Sequence, residues 1–311
     1  MFDQLLIFLG AFFFIWIGSG LIVSSADKIS KTLNVSSFAL SFCILGQLTS
    51  VPEYALGISA ISAGDPEIMV GNLLGGIVVM FLFVIPLLAI FGNGVSIKNE
   101  FDRTRILASL AVIALPSFFM LDHKISILEA IVLIVSYGAT LFLIQMKNGM
   151  FSKQAINALG TRQYSFYDIA KVLIGISIVF LASNIAIDKT MYFSEVFSIS
   201  PFYLSLIVLS IGTNLPELSL ALRGVIQGKK DVAFGDYLGS AATNAFILGL
   251  LTLVLRGNIV SVSGFHIVFI FTVLALTCFY FFARSDNKIS RTEGFILLLF
   301  YILFILFELL R

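Results

Sequence analysis

Charge is what this sequence has least of. Asp, Glu, Lys and Arg make up 12% of its 311 residues, against about 25% in an average soluble domain. So little charge cannot coat a water-facing surface, which excludes a soluble enzyme, and the apolar content excludes a disordered chain. Two cysteines, Cys43 and Cys278, exclude a disulfide scaffold. Each sits inside an apolar run and reads as a small buried hydrophobe with no redox or metal role. Neither of the two histidines, His123 and His266, nor any thiolate belongs to the polar motifs quoted below, which argues against a soft-metal centre. The net charge of +1 offers nothing to a nucleic acid. Alternation of apolar and polar residues over about 10 positions is also missing, and a membrane β-barrel needs it.

What the chain does have is long apolar runs, with 59% hydrophobic residues, 32 of them Phe, and a mean hydropathy of +1.05. Ten segments are long enough to cross a ~30 Å hydrocarbon core as helices. They lie near 4–24, 38–62, 67–91, 105–121, 126–146, 167–187, 201–226, 232–255, 259–283 and 293–310. The expected class is an all-α integral membrane protein with about ten transmembrane helices. The first segment does not read as a cleavable signal, because Met1–Gln4 carries no Lys or Arg and the apolar stretch is too long. With ten spans, one side receives Lys124, Lys189, Arg256 and Arg311. The other receives Lys28, Lys31, Lys98, Arg103, Arg105, Lys147, Lys153, Arg162, Arg223, Lys229, Lys230, Arg284, Lys288 and Arg291. The basic side is the cytoplasmic one, so both termini are expected outside a plasma (inner) membrane.

Sliding the chain against itself reveals a repeat. Residues 35–80 match 199–244 at a constant offset of 164, with thirteen identities in 46 positions. These include Thr49/Thr213, Pro52/Pro216, Glu53/Glu217, Gly71/Gly235 and Gly75/Gly239. The offset covers five spans. Five is odd, so the second copy enters the membrane from the opposite side, and a binding site is expected at the repeat interface near the midplane. Residues 1–146 form one five-helix half, 147–166 a cytoplasmic linker and 167–311 the other half.

The matches gather where polar groups interrupt a span, at Leu48-Thr49-Ser50-Val51-Pro52-Glu53 and Gly212-Thr213-Asn214-Leu215-Pro216-Glu217. An ionised carboxylate at that depth costs at least ~2.5–3.5 kcal/mol, so two related ones call for a partner. Each proline frees a backbone carbonyl one turn earlier. Carboxylates, hydroxyls and freed carbonyls together make an oxygen cage of the kind hard cations such as Ca²⁺ and Na⁺ take, with ~6–8 oxygens for Ca²⁺. The following span of the second half adds Asp236, Ser240 and Asn244 on one helix face. The same face of the first half reads Asn72, Gly76, Met80. Asp236 has two readings, as a helix cap or as part of the ion path. Asp27, Glu129 and Glu308 read as interfacial, and Asp65, Glu67, Asp188 and Glu195 as loop charges. No nucleophile or Ser–His pairing supports an enzyme.

These motifs resemble those of the sodium/calcium exchanger family within the cation/Ca²⁺ antiporter superfamily. Gly212–Glu217 is similar to its G-T-S-L-P-E signature and Gly235–Ser240 to its G-N-x-x-G-S partner. The resemblance implies two inverted five-helix repeats and exchange of Ca²⁺ for Na⁺ by alternating access, or for H⁺ in an altered member. It also implies no cofactor, and no partner beyond the lipid bilayer and inorganic cations. Glu53 and Glu217 would then coordinate Ca²⁺ and share in Na⁺ binding. Thr49 and Thr213 would add oxygens, Ser50 and Asn214 would line the same bend, and Ser240, with Asn244 beyond it, would serve the second half. The chain departs from the pattern at Asn214, where serine is usual, at Gly76 and Met80, where Ser and Asn are expected, and at Gln47-Leu48, where Gly would precede the threonine. A non-transporting membrane protein that kept a degenerate ion site is the remaining alternative.

Overall fold

A backbone in lipid has to satisfy its own N–H and C=O groups, and a chain of this composition does so as helices. The computed structural model describes residues 1–30, 42, 46–96, 103–148, 166–226, 233–257, 259–260, 265–285 and 288–310. Helices fill almost all of these. In chain order they are α1 (Phe2–Ser30), α2 (Gly46–Thr49), α3 (Val51–Ala63), α4 (Pro66–Phe91), α5 (Arg103–Phe119) and α6 (Ile127–Asn148). The second half begins with α7 (Phe166–Phe197) and α8, the latter built from Pro201–Leu204, a π turn at Ser205–Leu209 and Ser210–Thr213. It continues with α9 (Leu215–Ile226), α10 (Ala233–Val254), α11 (His266–Ser285) and α12 (Arg291–Leu309). Among the described residues nine helices are long and apolar enough to cross a membrane. The broken segment around Ser50 accounts for the other expected span; its earlier part, with Cys43, lies outside the described residues. So do most of the 147–166 linker, Lys31, Lys98, Lys153, Arg162, Lys229, Lys230 and Arg311.

The fold is two inverted repeats, and the offset of 164 runs through its details. It carries the start of α1 onto that of α7, and the start of α6 onto that of α12. Both α6 and α12 open with the same reciprocal cap. Ser126 and Ser290 each accept from the backbone N–H of the glutamate three residues on, at 3.3 Å. Glu129 and Glu293 each accept from the serine backbone N–H at 2.7 Å. This satisfies helix-start donors that would otherwise be orphaned, and it gives Glu129 a structural role.

Two short strand pairs were not expected. β1 (Val95–Ser96) pairs antiparallel with β4 (Lys288–Ile289), and β2 (Lys124–Ile125) with β3 (Ile259–Val260). Each pair joins one half to the other, and the offset converts one pair into the other.

Several charges sit differently from the expectation. α1 and α7 run on to Ser30 and Phe197, so Lys28, Lys189, Asp188 and Glu195 lie in helices instead of loops. A helix longer than the ~20 residues needed to span can tilt or project into the headgroups, and apolar periodicity alone does not mark where it ends. Arg105 is buried within α5, and Glu308, expected at the interface, is buried near the end of α12. Cys278 is only half-buried.

Helices α4 and α10 are the most enclosed spans, and α6, α7 and α12 the least. Apolar side chains such as Leu128, Val135, Leu173 and Leu181 point outward, as lipid requires. Lipid gives helices no hydrophobic reason to associate, so small residues set their closest approaches. α1 and α7 cross where a Cβ on Gly18 would stand 2.8 Å from the Gly175 carbonyl, and one on Gly175 would stand 2.7 Å from the Gly18 carbonyl. Gly18→Val is expected to force this crossing apart and cost about 1–3 kcal/mol, the usual penalty of overpacking. A thermal unfolding midpoint in detergent well below wild type would show it, with a surface change such as Leu181→Val as the control.

Candidate ion site

The two polar motifs build the same local shape. Ser50 and Asn214 sit at the breaks with nearly equal backbone angles, φ −82°, ψ 8° and φ −86°, ψ 10°. A proline two residues later starts the next helix, where its missing N–H costs nothing. It also cannot donate to the carbonyl four residues back, at Leu48 or Gly212. Glu53 and Glu217 therefore fall in the first turns of α3 and α9, where the helix dipole favours negative charge. Both are buried, at 1% and 0% exposure.

The neighbouring half meets each break with its most enclosed helix. Thr49 donates to Asp236 on α10 at 3.3 Å, and Thr213 donates to Asn72 on α4 at 3.1 Å. These are the same contact under the repeat. Glycines allow the approach. A Cβ on Gly46 would stand 2.6 Å from the Gly239 carbonyl carbon, and one on Gly75 would stand 2.8 Å from the Ser210 Cβ. Ser50 donates back to the Gly46 carbonyl at 2.7 Å, and the Asn214 amide donates to the Ser210 carbonyl at 2.7 Å.

The chemistry of the two halves then diverges. Ser240 donates to Glu217 at 3.0 Å, and its oxygen lies 3.2 Å from that of Ser50. With one hydroxyl proton committed to Glu217 and the other to Gly46, lone pairs of Ser50 and Ser240 face each other, an arrangement suited to a cation. The mirrored pair is Asn214 and Gly76. Gly76 supplies no side-chain oxygen, and its absent Cβ is replaced by two amide nitrogens. A Cβ there would stand 2.8 Å from the Asn244 amide nitrogen and 3.3 Å from that of Asn214. The Asn244 amide donates to the Leu73 carbonyl at 3.2 Å. N–H groups thus stand where the other half presents oxygens.

Glu53, Glu217, Thr49, Thr213, Ser50, Asn214, Ser240, Asn244 and Asp236 are all buried; the contacts above join Thr49 to Asp236 and Ser50 through Ser240 to Glu217, while Thr213, Asn214 and Asn244 bond to Asn72, Ser210 and Leu73. Asp236 lies in the first turn of α10, buried, with one oxygen accepting from Thr49. Both oxygens of Glu53, one of Glu217 and one of Asp236 are buried without a hydrogen-bond partner among the described residues. Glu53 and Asp236 are each close enough to Glu217 to act on it electrostatically. Among the described residues no three His, Cys, Asp or Glu side chains form a ready-made metal cluster, so neutral oxygens have to supply much of any coordination shell. Asn72 was read from sequence only as part of a face. Its place opposite Thr213 follows once the offset is applied to the Thr49–Asp236 contact. Met80 is buried at the start of a π turn, Met80–Val84.

Comparison with known proteins identifies the family and the fold. The family model described as sodium/calcium exchanger protein matches the chain twice, over residues 4–146 and 168–310. The chain belongs to the sodium/calcium exchanger protein family. It is similar to the sodium/calcium exchanger MaX1 of Methanosarcina acetivorans, at 24% identity over 97% of each chain. A solved structure of the sodium-calcium exchanger NCX_Mj, soaked with Na⁺ and Sr²⁺, superposes with a TM-score of 0.68 at 20% identity, covering 98% of each chain. The structure of the H⁺/Ca²⁺ exchanger CAX superposes with a TM-score of 0.78 at 15% identity, covering 97% of this chain and 82% of that one. These two structural likenesses establish the shared fold. The chain is a multi-pass helical membrane protein of a cation/Ca²⁺ antiporter family.

The packing of Gly76 yields a test. Gly76→Ala is expected to push the Asn244 amide off the Leu73 carbonyl and cost about 1–3 kcal/mol, from crowding and a lost buried hydrogen bond. Asn244→Ala in the same background should recover part of the loss, read as the unfolding midpoint of the purified protein in detergent.

Proposed function

We propose that the protein exchanges Ca²⁺ for a monovalent cation by alternating access. In this reading residues 1–146 and 167–311 are the two halves, and the plasma (inner) membrane holds the chain with both termini outside. The observation that carries the proposal is the pair Glu53 and Glu217. Both are enclosed at symmetry-related helix breaks, with carboxylate oxygens left unpartnered in a medium where an uncompensated charge is costly. Ca²⁺ as substrate would take these oxygens, with hydroxyl and amide oxygens of Thr49, Thr213 and Asn244 and the carbonyls near each proline completing its shell. One Ca²⁺ or a set of monovalent ions can neutralise the carboxylates, and both cannot be present together. That exclusion couples the two fluxes.

Na⁺ is the first reading for the counter-ion, supported by family membership and by the facing oxygens of Ser50 and Ser240 beside Glu217. Coupling to H⁺ is the second, supported by the third buried carboxylate, Asp236, and by the amides that line the Gly76 side. Calcium flux into proteoliposomes under imposed Na⁺ and then H⁺ gradients separates them. No flux under either gradient would leave a non-transporting protein with a degenerate ion site.

Glu53→Gln and Glu217→Gln are each expected to abolish calcium flux while the protein stays folded, since each removes a charge facing a divalent ion at low dielectric. Asp236→Asn should retain more flux than either, because the repeat already places a neutral asparagine, Asn72, at the mirrored position. The same flux assay on protein checked by size-exclusion chromatography tests all three. The Hill slope for Na⁺ is expected below three, because the Gly76 side presents amide N–H groups in place of oxygens and a Na⁺ without oxygen ligands is costly to dehydrate. Slopes measured at two pH values decide it, and a slope of three independent of pH would contradict the side-chain argument.

A further inference from the structure

The chain has only two histidines, His123 and His266, and the fold brings them together from opposite halves. Their rings meet edge to face, with centroids 5.8 Å apart and planes at 74°. His123 follows the 3₁₀ turn Met120–Asp122 and stands directly before β2, while His266 is the first residue of α11. β2 belongs to a strand pair that ties the first half to the second, so His123 sits at a joint between the halves. None of the ion-site contacts involves either histidine.

The fold fixes one ring and leaves the other exposed. The His123 backbone is left-handed, at φ 64° and ψ 19°, a region that is costly for a side chain. Its N–H donates to the Met120 carbonyl at 3.0 Å, and the next N–H, of Lys124, donates to the Asp122 carboxylate at 3.2 Å. The Nδ1 of His123 is buried without a hydrogen-bond partner among the described residues, an unfavourable place for a ring nitrogen unless something binds it. His266 is exposed.

The spacing suits a shared ion. Two imidazoles that hold one Zn²⁺ in tetrahedral geometry, each nitrogen about 2.0–2.1 Å from the metal, place their ring centroids roughly 5–6 Å apart. Imidazole suits Zn²⁺, Cu²⁺ and Ni²⁺, whereas Ca²⁺ takes carboxylate and carbonyl oxygens, so such a site does not compete for the cations the oxygen-lined centre would hold. Among the described residues no cluster of three His, Cys, Asp or Glu forms, and water would take the remaining positions. The fold does not call for this pair by symmetry. At the offset of 164 His123 becomes Asn287 and His266 corresponds to Asp102; both lie outside the described residues, and neither is an imidazole.

We propose that His123 and His266 form a binding site for a transition-metal ion of the Zn²⁺, Cu²⁺ and Ni²⁺ class. Each half gives the ion one nitrogen, and the bound ion braces the joint at β2 and β3. It is a resident of the joint and not cargo.

The test uses the full-length chain without a histidine tag, purified in detergent, with Cys43→Ser and Cys278→Ser so that no thiol takes the metal. Excess Ca²⁺ is present throughout. Zn²⁺ binding is measured by calorimetry, and Cu²⁺ binding by electron-spin resonance, in which nitrogen ligands split the signal. One equivalent of Zn²⁺ is expected, with an unfolding midpoint that rises as Zn²⁺ is added, and a Cu²⁺ signal from two nitrogens. His266→Ala removes the exposed ligand. His123→Asn removes the other and keeps a residue that tolerates a left-handed backbone, so the test stands on either variant alone. Losing a group that only supports a metal ligand weakens binding roughly 10- to 100-fold, and each variant is expected to lose at least that much. Unchanged Zn²⁺ affinity in the variants, or no binding by the parent at roughly millimolar Zn²⁺, would overturn the site. A Cu²⁺ signal without nitrogen splitting would put the metal on the carboxylates and overturn it as well.

Discussion

The contact between a helix break in one half and the most enclosed helix of the other organises this molecule. Thr49 reaches Asp236 and Thr213 reaches Asn72. Each bond needs glycines close by, so that two backbones can come together, and each needs a proline-started helix to turn a carboxylate inward. Without the cross-half bonds the breaks would leave polar groups exposed to hydrocarbon, a cost of several kcal/mol apiece. With them, each break is tied to the other half. The long crossing of α1 and α7, the strand pairs and the twin helix caps hold the halves at the separation these bonds require.

The two halves share a backbone plan and differ in what they place on it. Ser50 against Ser240 presents oxygen to oxygen, while Asn214 against Gly76 presents a larger side chain to the space of a missing one. The exchange is close to volume-conserving, which is why the packing tolerates it, but it replaces lone pairs with N–H groups. The frame is symmetric and the chemistry placed on it is not.

Much of this was legible in the sequence. Spans are written in apolar runs that nothing but lipid explains, and the repeat is written in identities that fall on Thr, Pro, Glu and Gly. The offset alone paired Glu53 with Glu217. Helix ends were less legible: α1 and α7 run on to Ser30 and Phe197, because a helix can continue beyond the ~20 residues a span needs. The strand pairs were invisible, since two residues such as Val95-Ser96 carry no pattern. Asp236 was ambiguous because a cap and an ion ligand use the same residue type, and it stands, buried, in the first turn of α10. Gln47 registered as a departure from a motif, but no local pattern joins it to Tyr137, ninety positions away, to which its amide donates.

The strand pairs bear on how the protein is made. β1 belongs to the first half and its partner β4 comes just before the last helix, so Val95 waits for Ile289 to leave the ribosome, while Lys124 waits for Val260. Membrane insertion proceeds from the N-terminus, yet the first half cannot close its own edge. β2 stays without its partner until Val260 has been synthesised, and β1 until Ile289 has. Contacts so distant along the chain are slow to form. The two strand pairs that join the halves are therefore late contacts, and a chain truncated before β4 would lack the pairing of β1.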